Sequence, residues 1–343
     1  MKLNKWSAIA LFAGGVVCAG AVMRMGGSST CTYPDGDVVA GRCMFDDEFD
    51  ALNTDVWVAS DDWSGPLQNV IPDVGCFRHE NVTVSGGSVN LTASVNARAS
   101  CPQTWDVTPY YTAHFGSSWT PGATRYDVAE LSMKTFRFRY GLVQMRMIFP
   151  PGRGPGGDVT LWGTNCQSLT GAITAVNDLY TKAEGDRICH WPYADSREMD
   201  IMQSSRTGDT TTINTSVYTD NSVGSPHLVD TFFGVPYYGD RYIQPSVGGF
   251  KNFLGSYTVA SPTLTYHVYE LDWRPGSWTV SVDGSIVAKE VQGTPAWVPD
   301  EAMFIMIWNA MTVAVTDADL PSIMLVDYLR ITCPSGVPCE WSN

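Results

Sequence analysis

The chain is short of positive charge. Its 343 residues carry 21 Lys and Arg against 35 Asp and Glu, a formal net charge of −14. Nucleic acid is therefore a poor partner, because nothing would neutralise its phosphates. A neutral, hydroxyl-rich ligand is compatible with that surface. No two cysteines stand in a CxxC pair, which argues against zinc. No His/Cys/Asp cluster supports a catalytic metal. The Gly-rich run Pro150–Gly157 is not a phosphate loop, since no Lys-Ser/Thr follows and no helix starts there. Internal repeats and a second domain are also missing. Long apolar runs are absent except at the N-terminus, where Ile9 to Val17 is apolar and the stretch extends to Met23. That run is short for a bilayer span. Lys2 and Lys5 precede it and Ala19-Gly20-Ala21 follows, so residues 1–21 read as a secretory signal peptide; an uncleaved anchor is the competing reading. No stable membrane partner is expected of the mature chain.

What is abundant is Gly, Pro, Trp and Tyr, with Thr, Val and aromatic residues in short runs between Gly/Pro turns. That profile predicts an all-β protein. Expected strands include Glu80–Val84, Val89–Ser94, Ala129–Arg139, Leu142–Phe149, Val159–Gly163, Thr210–Thr219, Met303–Asn309 and Met324–Ile331. Trp278–Val282 and Ser285–Val291 flank Asp283-Gly284, a type I′ hairpin signal. Residues 164–197 form a long insertion, with a short helix expected over Ala172–Ala183. Removing Cys18 with the signal leaves an even number of cysteines, which fits disulfides in an oxidising compartment and a secreted protein. Near-neighbour pairing gives Cys31–Cys43, Cys76–Cys101, Cys166–Cys189 and Cys333–Cys339, one of many connectivities open to them. A lead-in over 22–43, one domain over 44–333 and a tail over 334–343 complete the organisation.

The most informative stretch is Ser196-Arg197-Glu198-Met199-Asp200-Ile201-Met202-Gln203. Residues alternate faces along a strand, so Glu198 and Asp200 share one face and Met199 and Ile201 the other. A bulge near Ile201-Met202 returns Gln203 to the acidic face.

This pattern resembles the Glu-x-Asp-x-x-Glu signature of glycoside hydrolase family 16, in its bulged, laminarinase-like branch. Other landmarks follow in the family's order. They are Asp47-Glu48-Phe49 with Trp57, the Pro/Gly loop and strand ending at Trp162, Trp191-Pro192 ahead of the acidic strand, His267-Val268-Tyr269 with Trp273, and the closing Val326-Asp327-Tyr328-Leu329-Arg330-Ile331. The resemblance spans about residues 44–332. It implies a β-jelly-roll sandwich of two antiparallel sheets with a concave sugar-binding cleft. It also implies a retaining endo-β-glucanase acting on β-1,3 or mixed-linked glucans. Glu198 becomes the nucleophile and Asp200 the residue that positions and tunes it. Gln203 stands where the family has its acid/base Glu.

Same-face positions four residues apart on a strand have Cα atoms about 13 Å apart. Two Glu side chains leaning together bring their carboxyls to the ~5 Å that retention requires. Gln203 fills the same volume but has no proton to give and cannot deprotonate water. Asp195, Glu130 and Asp220 are candidates to replace it. Trp191 is the leading sugar platform, since an aromatic ring stacks on the C–H face of a pyranose. Trp162, His190 and Trp119 are further candidates for substrate contacts. Each also has a plain structural reading, as a core ring or a hydrogen-bonded histidine. No cofactor is required. The family's structural calcium would fall near Glu48 and Asp327. A monomer that binds β-glucan-type polysaccharide is expected. The alternative is a glycan-binding protein on the same fold, with Gln203 binding rather than donating. A third reading is a disulfide-stapled sandwich whose acidic strand is merely solvated.

Overall fold

The computed structural model describes residues 30–60, 63–64, 75–96, 103–104, 126–152, 155–163, 183–184, 187–188, 198–204, 212–218, 227–232, 235–239, 253–291, 298–299, 302–311 and 317–342. The strands that build the two main layers are β1 (Arg42–Asp47), β2 (Trp57–Ala59), β3 (Val82–Ser85), β4 (Ser88–Val95), β5 (Tyr126–Met133), β6 (Gly141–Ile148), β7 (Pro155–Gly163), β8 (Glu198–Ser204), β9 (Thr212–Tyr218), β10 (Phe253–Thr258), β11 (His267–Arg274), β12 (Ser277–Val282), β13 (Ser285–Val291), β14 (Met303–Met311) and β15 (Ser322–Cys333).

One layer runs β2-β5-β14-β7-β8-β9-β10, antiparallel throughout. The other runs β13-β12-β11-β6-β15. The first half of β15 pairs with β4 and its second half with β1, while β3 closes a hairpin onto β4. This is the all-β jelly-roll sandwich.

Period-two patterning explains the inner faces. Val143, Met145 and Met147 of β6 are fully buried, as are Tyr269 and Trp273 of β11. Full burial of such a side chain contributes about 1.5–3 kcal/mol. The phase of β15 changes midway: Met324 and Val326 point inward, then Leu329 and Ile331. A register shift opposite Arg146/Met147 makes the change. Asp327 is the residue the ladder skips, and its carboxylate pairs with Arg146. Hairpin β12-β13 turns through Asp283 (φ 49°) and Gly284 (φ 74°), the two left-handed positions of a type I′ turn.

One expectation changes on folding. The long strand expected over Ala129–Arg139 breaks after Met133 and resumes at Arg137. At the break Lys134 donates its N–H to the Val56 carbonyl (2.6 Å). Phe136 turns into the core, and the Arg137 guanidinium donates to the Met133 and Phe136 carbonyls. The Cys333–Cys339 disulfide folds the final segment back, and Glu340–Ser342 pairs with Arg137–Arg139.

A second disulfide, Cys31–Cys43, ties the hairpin Thr30–Thr32/Val38–Ala40 to β1. Cys76 is also disulfide-bonded; Cys101, Cys166 and Cys189 lie outside the described residues. The helix expected over Ala172–Ala183 lies outside them too, apart from Ala183, which begins a two-residue strand.

Candidate active site

The Glu198–Ser204 strand is bulged where the sequence predicts. Thr160 faces Asp200 and Val159 faces Met202, so Ile201 is the extra residue on β8. On the other side Asp200 faces Ser216 and Gln203 faces Asn214. Met199, Ile201 and Met202 are all buried in the core. A bulge leaves a backbone group without its ladder partner, and a buried one must be satisfied elsewhere. Here the Thr215 hydroxyl donates to the Ile201 carbonyl at 3.0 Å. The bulge is thus held by a side chain of the neighbouring strand.

Register carries the polar face across the sheet. One row reads Glu130, Trp308, Asp158, Gln203, Asn214. The next reads Ser132, Met306, Thr160, Asp200, Ser216. A third reads Phe304, Trp162, Glu198, Tyr218. Glu198 and Asp200 therefore stand in adjacent rows, and Gln203 in the row beyond.

Exposures across the first two rows are low: Glu130 2%, Asp158 1%, Thr160 1%, Asp200 2% and Gln203 8%. Gln203 donates its amide Nε2–H to Asp158 Oδ2 at 2.7 Å. Glu130 accepts from the Ser60 hydroxyl at 2.7 Å. Two strands, β14 and β7, separate Glu130 from β8, which places it roughly 14 Å across the sheet from the Gln203 row position.

Asp158 was not among the residues the sequence singled out. The expected strand begins at Val159, and Gly156-Gly157 reads as loop. In the structure β7 begins at Pro155. Gly157 is in the strand because nothing larger fits: a Cβ there would lie 2.7 Å from Pro150 Cδ and 2.9 Å from Phe149 Cδ1. The available signal was the alternation of Asp158, Thr160 and Trp162 against Val159 and Leu161.

Trp162 is 7% exposed and packs edge-on to Phe304, with centroids 6.4 Å apart. Its ring is therefore largely covered by its neighbours in the third row, Phe304 among them. Trp191, His190, Trp119, Asp195 and Asp220 lie outside the described residues.

The two carboxylates considered for calcium are engaged by arginines. Asp327 pairs with Arg146, and Glu48 lies 2.7 Å from Arg330 Nη2. A dication there would have to displace both guanidinium groups, so these two residues as arranged do not fit a calcium site. Among the described residues no group of three or more His, Cys, Asp or Glu side chains is placed to hold a metal.

LamAcat from Zobellia galactanivorans superposes with a TM-score of 0.58 at 20% identity, covering 85% of this chain and 97% of that one. The endo-β-1,3-glucanase from Pyrococcus furiosus gives 0.58 at 16% identity, with 89% and 98% covered. SCLam, a non-specific endo-β-1,3(4)-glucanase from family GH16, gives 0.53 at 18% identity, with 84% and 90% covered. The chain has the laminarinase fold. No family model matches the sequence, and no curated protein does either, so the likeness lies in the fold. A Glu→Ser variant of LamA from Z. galactanivorans has been crystallised with laminaritriose and laminaritetraose, and a Glu→Ser variant of SCLam with 1,3-β-D-cellotriosyl-glucose. Within this laminarinase fold, the bulged strand with Glu198, Asp200 and Gln203 lies in the sheet that runs from β2 to β10.

Proposed function

We propose that the protein is a retaining endo-β-glucanase acting on β-1,3 or mixed β-1,3/1,4 glucans. The observation that carries the reading is the bulged strand, which puts Glu198, Asp200 and Gln203 in successive rows of one sheet of a laminarinase fold. Glu198 attacks the anomeric carbon and forms a glycosyl ester as the glycosidic C–O bond breaks and the leaving sugar departs. Asp200 positions that carboxylate. Water then releases the sugar with its configuration retained. Trp191, Trp119 and His190 are proposed contacts along the bound glucan. No cofactor takes part in this chemistry.

The setting proposed is extracellular. The Cys31–Cys43 and Cys333–Cys339 disulfides support an oxidising compartment. The protein acts as a monomer on polysaccharide.

One observation favours a second reading. Gln203 has no acidic proton, and losing general acid/base catalysis typically costs about 10²–10⁴-fold. A chain so impaired would bind β-glucan without cutting it. Reducing-end release from laminarin and lichenan, measured for wild type and Glu198→Ala, separates the two. The hydrolase reading expects turnover in wild type and none in Glu198→Ala. Laminarin binding without turnover, weakened in Trp191→Ala, would transfer the assignment to glycan recognition. Absence of both would refute both.

A further inference from the structure

Gln203 leaves the reaction without its proton donor, yet a carboxyl group stands one hydrogen bond away. We propose that Asp158, on the strand next to the bulge, is the general acid/base of this site, and that Gln203 holds it in place. The assignment rests on the hydrolase reading above.

Asp158 is paired directly opposite Gln203, just past the point where the bulge shifts the ladder. The Gln203 amide fills the volume a Glu carboxyl would fill, because the two side chains are nearly isosteric. Asp158 Oδ2 lies 2.7 Å from the Gln203 nitrogen. The carboxyl group has thus moved across the ladder from β8 to β7, about one strand spacing of ~4.8 Å at the backbone. At the functional atoms the displacement shrinks to that single hydrogen bond.

Chemistry gives the pair a direction. Gln203 donates N–H to one oxygen of Asp158 and fixes the plane of its carboxyl. The other oxygen, Oδ1, is where a transferable proton is carried. An Asn or Gln amide positions but does not protonate, whereas a carboxyl does both.

The rival acid on this face is Glu130. It sits in the same row, but two strands further out, and its Oε1 is engaged by Ser60 at 2.7 Å. Asp158 is next to β8 and Glu130 is not. The low exposure of Asp158, 1%, does not set it apart, because Asp200 has 2%. Gln203, the hydrogen-bond partner of Asp158, is 8% exposed, so a glucan lying over the Gln203 row also lies over Asp158.

The steps balance. As the Glu198 carboxylate bonds to the anomeric carbon, the glycosidic C–O bond breaks and the leaving oxygen takes the Asp158 proton. This leaves a glycosyl ester on Glu198 and a carboxylate at Asp158. A water then gives its proton to Asp158 while its oxygen attacks the anomeric carbon. The ester bond breaks, Glu198 is freed as carboxylate, and Asp158 is protonated again.

The test compares full-length wild type with Asp158→Asn and Asp158→Glu on two substrates. Laminarin has a poor leaving group and needs the acid. 2,4-Dinitrophenyl β-laminaribioside has a good one and does not. Asp158→Asn is expected to lose about 10²–10⁴-fold in kcat/KM on laminarin. On the aryl glycoside kcat/KM should fall far less, since that parameter reports the glycosylation step. Azide should raise aryl-glycoside turnover of Asp158→Asn and give a glycosyl azide, because an anionic nucleophile needs no base. Asp158→Glu should keep part of the laminarin activity. Wild-type-like laminarin turnover in Asp158→Asn would overturn the assignment. So would an equal loss on both substrates without azide rescue, which would mark a structural role. If wild type turns over neither substrate, the hydrolase reading itself fails and the assignment falls with it.

Discussion

At the scale of the residue, the site turns on one carboxyl and one amide that are 45 positions apart in the chain and 2.7 Å apart in space. The sequence shows Gln203 as a departure from the resemblance and offers Asp195, Glu130 and Asp220 in its place. It cannot show which side chain lies across the ladder, because that depends on strand order and on where the bulge falls. Neither is a local property. Gln203→Glu tests the pair independently. Two carboxyls at hydrogen-bond distance share a proton, and the second one is lost only at higher pH. The Gln203→Glu variant is therefore expected to stay active, with the alkaline limb of its kcat/KM profile moved to higher pH. A pH–rate profile on laminarin checks this.

At the scale of the element, most strands are legible in the sequence, because one face of each is buried and alternation follows. β6 and β11 are the clearest cases. The bulge in β8 is legible as well: Met199, Ile201 and Met202 can all be buried only if the period slips once. The Asp283-Gly284 turn is written in residue types that tolerate positive φ. What local patterning could not supply are the features set by distant partners. The break after Met133 answers to Val56, and Gly157 is dictated by Pro150 and Phe149. The Thr215–Ile201 bond is of the same kind. Thr215→Val should leave the buried Ile201 carbonyl unpaired and cost about 1–3 kcal/mol. Urea unfolding measures that loss. Since the bulge sets the spacing of Asp200 and Gln203, laminarin turnover should fall as well.

At the scale of the whole molecule, the two sheets enclose one core, and the N-terminal hairpin is clamped to the closing strand by Arg330. Its buried guanidinium meets Asp35 at 2.8 Å, Glu48 at 2.7 Å and, more distantly, Asp46 at 3.7 Å. It also stacks between the rings of Tyr33 and Tyr328. Crowding has an effect on Asp46, whose carboxyl is pushed up to about 7. Burial is the main cause, followed by the hydrogen bond and charge of Glu48, with Arg330 opposing. Unfolded, that group titrates near its ordinary 3.8. Between these values the folded chain keeps a proton the unfolded chain has lost. Folding stability from this group therefore declines as pH rises from about 4 to about 7, then levels off. Asp35 acts the other way. Burial alone would raise its carboxyl, but Arg330 and backbone N–H groups hold it below the usual range. Thermal unfolding across pH 4–8 should show that decline in wild type and a flatter profile in Asp46→Asn.

The proposed nucleophile is Glu198, at the head of the bulged strand. The most direct measurement is mass spectrometry of the protein after incubation with 2-deoxy-2-fluoro-β-laminaribiosyl fluoride, whose leaving group needs no acid and whose intermediate is long-lived. A covalent disaccharide adduct is expected that maps to the peptide containing Glu198 and is absent from Glu198→Ala. An adduct on another residue, or no adduct in a protein that cleaves laminarin, would contradict this assignment.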